Sequence, residues 1–251
     1  MIPAAMDRAL LIAGSDTDVG KTVVTTALLA HGLRYGDPAE IAVMKPLQTG
    51  YGDRECYSRL FPDLTQNPAD LNPLWFSAPL APPLAADQEG RTIDLAPVWE
   101  ALQRLLGQHQ RVLVEALGGL GSPVTHEWTV ADLAAAWHLP LVLVIPVKLG
   151  AIAQTVANVA LARQHHLSLR GLILNCRTPE AETQQDVWAP IPLLENLTQT
   201  PVLGVLPWLE APRDAQRASQ MGYRAALEVA ATHLNLDALW TPSDPAIVKG
   251  G

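Results

Sequence analysis

The sequence predicts a single α/β domain whose mostly parallel sheet is covered by helices on both faces. Three observations predict it. Uninterrupted apolar runs of strand length recur along the chain, segments of helix length separate them, and the first run passes through a small-residue turn directly into a helix. A strand that is apolar at every position needs both faces buried, which is the habit of parallel sheets with helical crossovers. The 251 residues suffice for one large core, and no composition break divides them, so residues 1–251 are expected to form one domain.

The elements follow in order. Ala9-Leu10-Leu11-Ile12-Ala13 is the first strand, and the helix after it spans residues 21–35, ending at the breaker cluster Gly36-Asp37-Pro38. A second strand over residues 40–44 runs into Lys45-Pro46 and Thr49-Gly50. The pattern weakens over residues 51–87: a short helix at 54–61 is expected, and then six prolines at 62, 68, 73, 79, 82 and 83 forbid long regular elements. Residues 62–87 therefore read as a proline-rich, loop-rich insertion. Alternation resumes with a helix at 95–106, a strand at 111–115, a helix at 130–138, a strand at 141–147 and a helix at 151–166. A strand at 171–175, a short helix at 193–199, a strand at 202–206 and a helix at 214–234 complete the pattern. Residues 240–251 are expected to be a loosely held tail.

Composition narrows the function classes. Hydrophobic residues at 49% and charged residues at 17% suit a packed core, and a net charge of −8 argues against nucleic acid as a general partner. No apolar run has the length of a bilayer span, and the N-terminal run lacks a signal peptide's charged start and cleavage site, so no membrane partner and a cytoplasmic protein are expected. Cys56 and Cys176 lie far apart with no metal-ligand spacing, and the histidines show no partner pattern.

The first strand-to-helix turn carries the chemistry. Gly14-Ser15-Asp16-Thr17-Asp18-Val19-Gly20-Lys21-Thr22 has the make-up of a phosphate-binding loop, with its first glycine one residue earlier than in the usual G-x-x-x-x-G-K-[ST] frame. Such a loop converges backbone N–H groups on an anion at a helix N-terminus, the lysine reaches the terminal phosphates and the next hydroxyl meets Mg²⁺. In a parallel sheet the strand ends gather Lys21, Thr22, Lys45, Glu115, Lys148, Asn175 and the Gly118-Gly119 turn on one edge. Glu115 closes its strand after apolar residues, and either meets a cation and donors there or is an exposed strand-end carboxylate. Lys45 reads either as a solvated strand-end lysine or as a partner of the loop. Asn175 by itself is a turn-former.

These segments together resemble the dethiobiotin synthetase family over nearly the whole chain. Residues 14–22 are similar to the family's G-T-D-T-x-V-G-K-T, Lys45-Pro46 with Thr49-Gly50 to K-P-x-x-[ST]-G, and Val114-Glu115 with Gly118-Gly119 to V-E-G-A-G-G. Val147-Lys148-Leu149-Gly150 resembles V-x-L-G, and Leu206-Pro207-Trp208-Leu209 resembles the I-P-W-L nucleotide segment. Asp18 stands where many members carry glutamate, Ala116-Leu117 replaces the Gly-Ala of the third motif, and Pro146 lacks an N–H at its strand end.

The resemblance implies a P-loop NTPase-like fold and a ligase that uses ATP and Mg²⁺ to join 7,8-diaminopelargonate and CO₂ in biotin biosynthesis. It implies Lys21 and Lys45 as catalytic cations; Asp18, Val19, Gly20, Lys21, Thr22, Val23, Glu115, Gly118, Asn175, Pro207, Trp208 and Leu209 as nucleotide contacts; and Thr22, Glu115 and Asp53 as metal ligands, with Glu55 the other candidate for the third. Thr17, Thr49 and Gly118 become substrate contacts. It also implies a homodimer in which Leu149, Gly150 and Ala151 offer backbone N–H groups to the partner's substrate carboxylate. The alternatives are a nucleotide-switch ATPase of the ParA/MinD type, whose early second loop lysine is absent here, and an inactive relative. Cobyrinate-type synthetases share a similar loop but need an amidotransferase domain for which the chain has neither length nor cysteine motif.

Overall fold

The computed structural model describes residues 6–210 and 220–240. Its strands are β1 (Ala9–Gly14), β2 (Ile41–Met44), β3 (Leu47–Thr49), β4 (Leu74–Phe76), β5 (Arg111–Glu115), β6 (Leu141–Pro146), β7 (Leu169–Asn175) and β8 (Val202–Leu206). Six of them form one sheet in the order β2-β5-β1-β6-β7-β8, with every neighbouring pair parallel. The expected apolar runs hide a period of two. Leu10 and Ile12 face one core with Val142 and Val144, whereas Ala9, Leu11 and Ala13 face the other with Leu141, Leu143 and Ile145.

Helices cover both faces. On the Leu10 side lie α1 (Lys21–Tyr35), α2 (Asp53–Leu60) and, near the end of the described chain, α11 (Gln220–Ala231) and α12 (Leu236–Trp240). On the Leu11 side lie α5 (Ala96–Gln108), α6 (Val130–Ala136), α7 (Ala151–Gln164) and α10 (Ile191–Thr198), with two short helices, α8 (Pro179–Thr183) and α9 (Gln185–Trp188), before α10. The expected helix at 214–234 is described from Gln220, and residues 214–219 lie outside the described residues. Of the expected loose tail only Trp240 is described: it ends α12 and is half-buried, with the Arg111 guanidinium 5.4 Å from its ring centroid. The rest of that tail lies outside the described residues. No helix among the described residues is long and apolar enough to cross a membrane.

The segment after β2 carries more regular structure than its prolines suggest. α3 (Pro68–Leu71) and α4 (Pro82–Gln88) each begin on proline, which the first helical turn accepts because its N–H has no intrahelical partner. β4 pairs in parallel with β3, so the insertion folds back to make a second, two-stranded sheet beside the end of β2. The Gln66 carboxamide accepts from the Val43 N–H at 2.8 Å and donates to the Val43 carbonyl at 2.7 Å, which covers edge strand β2.

Glu89, just past α4, ties this unit together by accepting from the Ser77 N–H and hydroxyl and from Arg91. Those donors, the Ser77 hydroxyl foremost, hold its carboxyl down to about 2 from an ordinary 4.5. A depressed carboxyl stabilises the fold above its unfolded value, and the contribution is lost as pH falls through the folded one. The stability gap between wild type and Glu89→Gln, measured by urea unfolding, should therefore be full at neutral pH and vanish on acidification from about 4.5 towards 2. A gap that stayed constant down to the acid limit would refute this assignment.

Candidate active site

The strand order puts the carboxyl ends of β2, β5 and β1 side by side, and these are the ends that carry Lys45, Glu115 and the phosphate loop. Register sharpens the grouping. Met44 lies opposite Val114, so Lys45, the first residue past β2, comes beside Glu115, the last residue of β5.

The loop from Gly14 to Thr22 enters α1 at Lys21. Gly20 sits at the helix N-cap with φ 92°, in the left-handed region, and an added Cβ there would lie 1.9 Å from Asn175 Nδ2. Asn175 comes from the end of β7, is 2% exposed, and donates from Nδ2 to the Val19 carbonyl at 2.9 Å. It therefore buttresses the loop from beneath, a role the sequence did not suggest. Lys21 is buried and folds back to give a hydrogen bond to the Asp16 carbonyl at 3.1 Å. Burial, and then the like charge of Lys45, push its amine down to about 8.

Next to the loop lies a cluster of charge out of water. Glu115 is 0% exposed and Lys45 3%. The Lys45 ammonium lies 2.6 Å from Asp53 Oδ2 and 2.9 Å from Glu115 Oε1, and donates to the Ala116 carbonyl at 3.1 Å, so its three protons have three acceptors. The remaining Glu115 oxygen, Oε2, accepts from the Tyr57 hydroxyl. Burial alone would lower Lys45, but Glu115 and Asp53 hold its pKa above the ordinary value; Glu115 is raised by burial and by the charge of Asp53. Asp53 itself is held down: burial alone would raise it, but the charge and hydrogen bond of Lys45, together with the hydrogen bonds to Thr22 and Glu115, outweigh desolvation. Of the two open readings of Lys45 and Glu115, the solvated ones are excluded.

Thr22 Oγ1 lies 2.9 Å from Asp53 Oδ1 and 2.9 Å from Glu115 Oε1. A hydroxyl has one proton to give, so at one of these contacts two oxygens face each other unless a proton or cation intervenes. Three hard oxygen donors converging in this way suit Mg²⁺, which binds through one or two carboxylates, waters and substrate phosphates. Among the described residues no group of three or more His, Cys, Asp or Glu side chains forms, so a cation here relies on two carboxylates, one hydroxyl and the phosphates. Of the two sequence candidates, Asp53 is the one that lies beside Thr22. Glu55 turns away to accept from the Gly52 N–H, Gln48 and Arg54.

The cluster opens into a cleft of about 770 Å³ lined by Thr17, Asp18, Gly20, Val23, Thr49 and Gly118 among others. Gly119 lets its turn close on the loop, since a Cβ would stand 3.0 Å from Asp16 Cα. The apolar stretch Pro79-Leu80-Ala81-Pro82 of the insertion lines the same cleft. Several lining residues escaped sequence reasoning. Arg177, two residues beyond Asn175, lines the cleft and makes no hydrogen bond or ion pair among the described residues; Tyr51 lines it while 79% exposed.

Other predicted residues lie outside the cleft. Pro207, Trp208 and Leu209 are half-buried beyond β8, where Trp208 packs on one core and Leu209 on the other. Leu206 pairs with Asn175, so this segment continues beside the end of β7. Leu149 is 76% exposed and Gly150 exposed, but Ala151 is fully buried and its N–H donates to the Lys148 carbonyl at 3.0 Å. The Ala151 N–H, expected to face a partner's substrate carboxylate, is held here by the turn that leads into α7.

A family model described as "AAA domain" matches residues 8–216. A protein of Synechocystis sp. named ATP-dependent dethiobiotin synthetase BioD is 52% identical over 227 residues, covering 90% of this chain and 95% of the relative. A Gloeothece citriformis protein of the same name is 53% identical over 220 residues, covering 88% and 97%. One from Anaeromyxobacter sp. strain K is 36% identical over 86% of this chain and 96% of its own length. Among solved structures, a ParA family ATPase from Chlorobium tepidum aligns with TM-score 0.53 at 15% identity, over 93% of this chain and 99% of its own. The MinD cell division protein of Aquifex aeolicus aligns with TM-score 0.53 at 12% identity, over 92% and 95%. At those identities the likeness is one of fold.

Proposed function

The chain belongs to the dethiobiotin synthetase family, and from that membership we propose that it uses ATP to convert 7,8-diaminopelargonate and CO₂ to dethiobiotin, ADP and phosphate. It is an ATP-dependent ligase of biotin biosynthesis. The observation that carries the detailed reading is Lys45, held between Asp53 and Glu115 in the same cleft as the phosphate-loop Lys21.

The chemistry runs in three balanced steps. One substrate amine attacks CO₂ and loses a proton, giving a carbamate. A carbamate oxygen then attacks the γ-phosphorus and ADP leaves. The second amine attacks the carbonyl carbon of the mixed anhydride, phosphate leaves, a proton is lost, and the ureido ring closes. The task of the protein is to collect several anions and to meet the charge that spreads over the transferring group. Lys21 faces the β- and γ-phosphates from the loop. Lys45 exchanges one of its three acceptors for the oxygens shared by carbamate and γ-phosphate. Thr22, Asp53 and Glu115 would hold Mg²⁺, which would supply neutralisation of phosphate charge when bound.

Asp18, Val19, Gly20 and Val23 shape the phosphate loop with Gly118 opposite, while Asn175 and residues 207–209 form the base side of the nucleotide site. Thr17, Thr49 and Gly118 meet the diamine. In a homodimer, the exposed Leu149 and Gly150 are suited to reach a partner's substrate carboxylate, with Ala151 setting their helix. The absence of an early second lysine in the loop, and identities above 50% to named synthetases, favour this reading over a nucleotide switch.

ADP release, measured with ATP, the diamine and bicarbonate and then with each omitted, tests the reading. Release is expected only with all three present. Turnover of nucleotide that ignores the diamine would overturn it.

A further inference from the structure

Tyr57 stands out among buried groups that the reaction does not use directly. It is 0% exposed in the core beside Leu60 and Phe61, and its hydroxyl donates to Glu115 Oε2 across 58 positions of sequence. A buried phenol needs a partner, but a backbone carbonyl would serve as well as a carboxylate. Here the partner is the residue whose other oxygen meets Thr22 and Lys45.

α2 makes the arrangement possible. Asp53 and Tyr57 are four residues apart on this helix and so share a face, and both point at the Thr22–Glu115 pair. The start of α2 is itself held, because Gln48 Oε1 accepts from the Arg54 N–H at 2.9 Å and Glu55 caps Gly52 at 2.8 Å. A glutamate's last torsion is soft and nearly two-fold, so an unpinned Glu115 could turn its carboxylate plane. With Oε2 fixed from the core side, Oε1 alone faces the cleft.

We propose that Tyr57 is a positioning residue: its hydroxyl locks the Glu115 carboxylate so that Oε1, Thr22 Oγ1 and Asp53 Oδ1 form one preorganised oxygen face for the divalent cation of the nucleotide complex. This rests on the metal reading above. Partners that orient metal ligands typically change metal affinity by 10–100-fold when removed. Phe at this position keeps the ring and its packing and removes only the hydroxyl.

The test is Mn²⁺ binding to the full chain with ADP, read by electron paramagnetic resonance, beside ADP affinity in EDTA. Tyr57→Phe should weaken Mn²⁺ binding about tenfold and leave metal-free ADP affinity within about twofold. Unchanged Mn²⁺ affinity, or an equal loss of metal-free ADP affinity, would overturn the inference, the second because it would reveal general damage to the site. Asp53→Asn separates the two readings. If it weakens Mn²⁺ binding and Tyr57→Phe does not, only the role of Tyr57 fails; if neither does, the metal reading falls and the inference with it.

Discussion

Lys45→Met should lower turnover about a thousandfold while Mg²⁺-supported ADP binding becomes tighter rather than weaker. The side chain keeps its length and apolar stem but loses the charge that Lys45 places at the end of β2 to meet the transferring group. Its loss should also show in stability. Asp53 and Glu115 would then face each other with no cation between them, and breaking a buried ion pair from one side costs about 3–5 kcal/mol. Urea unfolding should register that loss in the free protein, and Mg²⁺ with ADP should recover more of it in the variant than in wild type, because the carboxylates regain a counter-charge. Normal turnover in the variant would remove Lys45 from the chemistry. A stability loss that the metal complex leaves untouched would argue that the three oxygens do not hold a cation.

Gly20→Ala should weaken nucleotide binding by roughly a hundredfold, equivalent to about 2–3 kcal/mol from left-handed backbone strain and a lost hydrogen bond. The backbone at φ 92° already disfavours any side chain, and the new Cβ would meet Asn175 Nδ2 at 1.9 Å. Asn175 is not free to swing aside: it is buried and tied to the Val19 carbonyl, the residue before the glycine. The loop must therefore open or Asn175 must break its bond, and either change moves the N–H groups that face phosphate. Combining Gly20→Ala with Asn175→Ala should recover part of the loss, since the clash goes while the strain and the missing buttress remain. A Gly20→Ala variant that binds ADP normally by calorimetry would contradict the steric argument.

The two sites of prediction were not equally visible in the sequence. The loop was legible because its chemistry is contiguous: Gly20, Lys21 and Thr22 stand between an apolar strand and an apolar helix. Strands β5 and β8 matched their expected ranges for the same reason, as runs of branched apolar residues in a chain that buries both faces of its sheet. The second sheet was not legible. β3 and β4 are three residues each, separated by α2 and α3, and their pairing exists only after the insertion folds back.

Within the site the same division holds. Sequence alone determined the parallel α/β class, the phosphate loop, and the presence of Lys45 and Glu115 at strand ends, because each follows from local pattern and the period of side-chain burial. Only the tertiary structure decided that Asp53 rather than Glu55 joins Thr22, that Tyr57 faces Glu115, and that Asn175 supports Val19 across 156 positions. Two carboxylates two residues apart on a helix look alike in sequence and point about 200° apart around its axis. Which of them meets the buried lysine is settled by where α2 packs, and that depends on contacts between residues far apart in the chain.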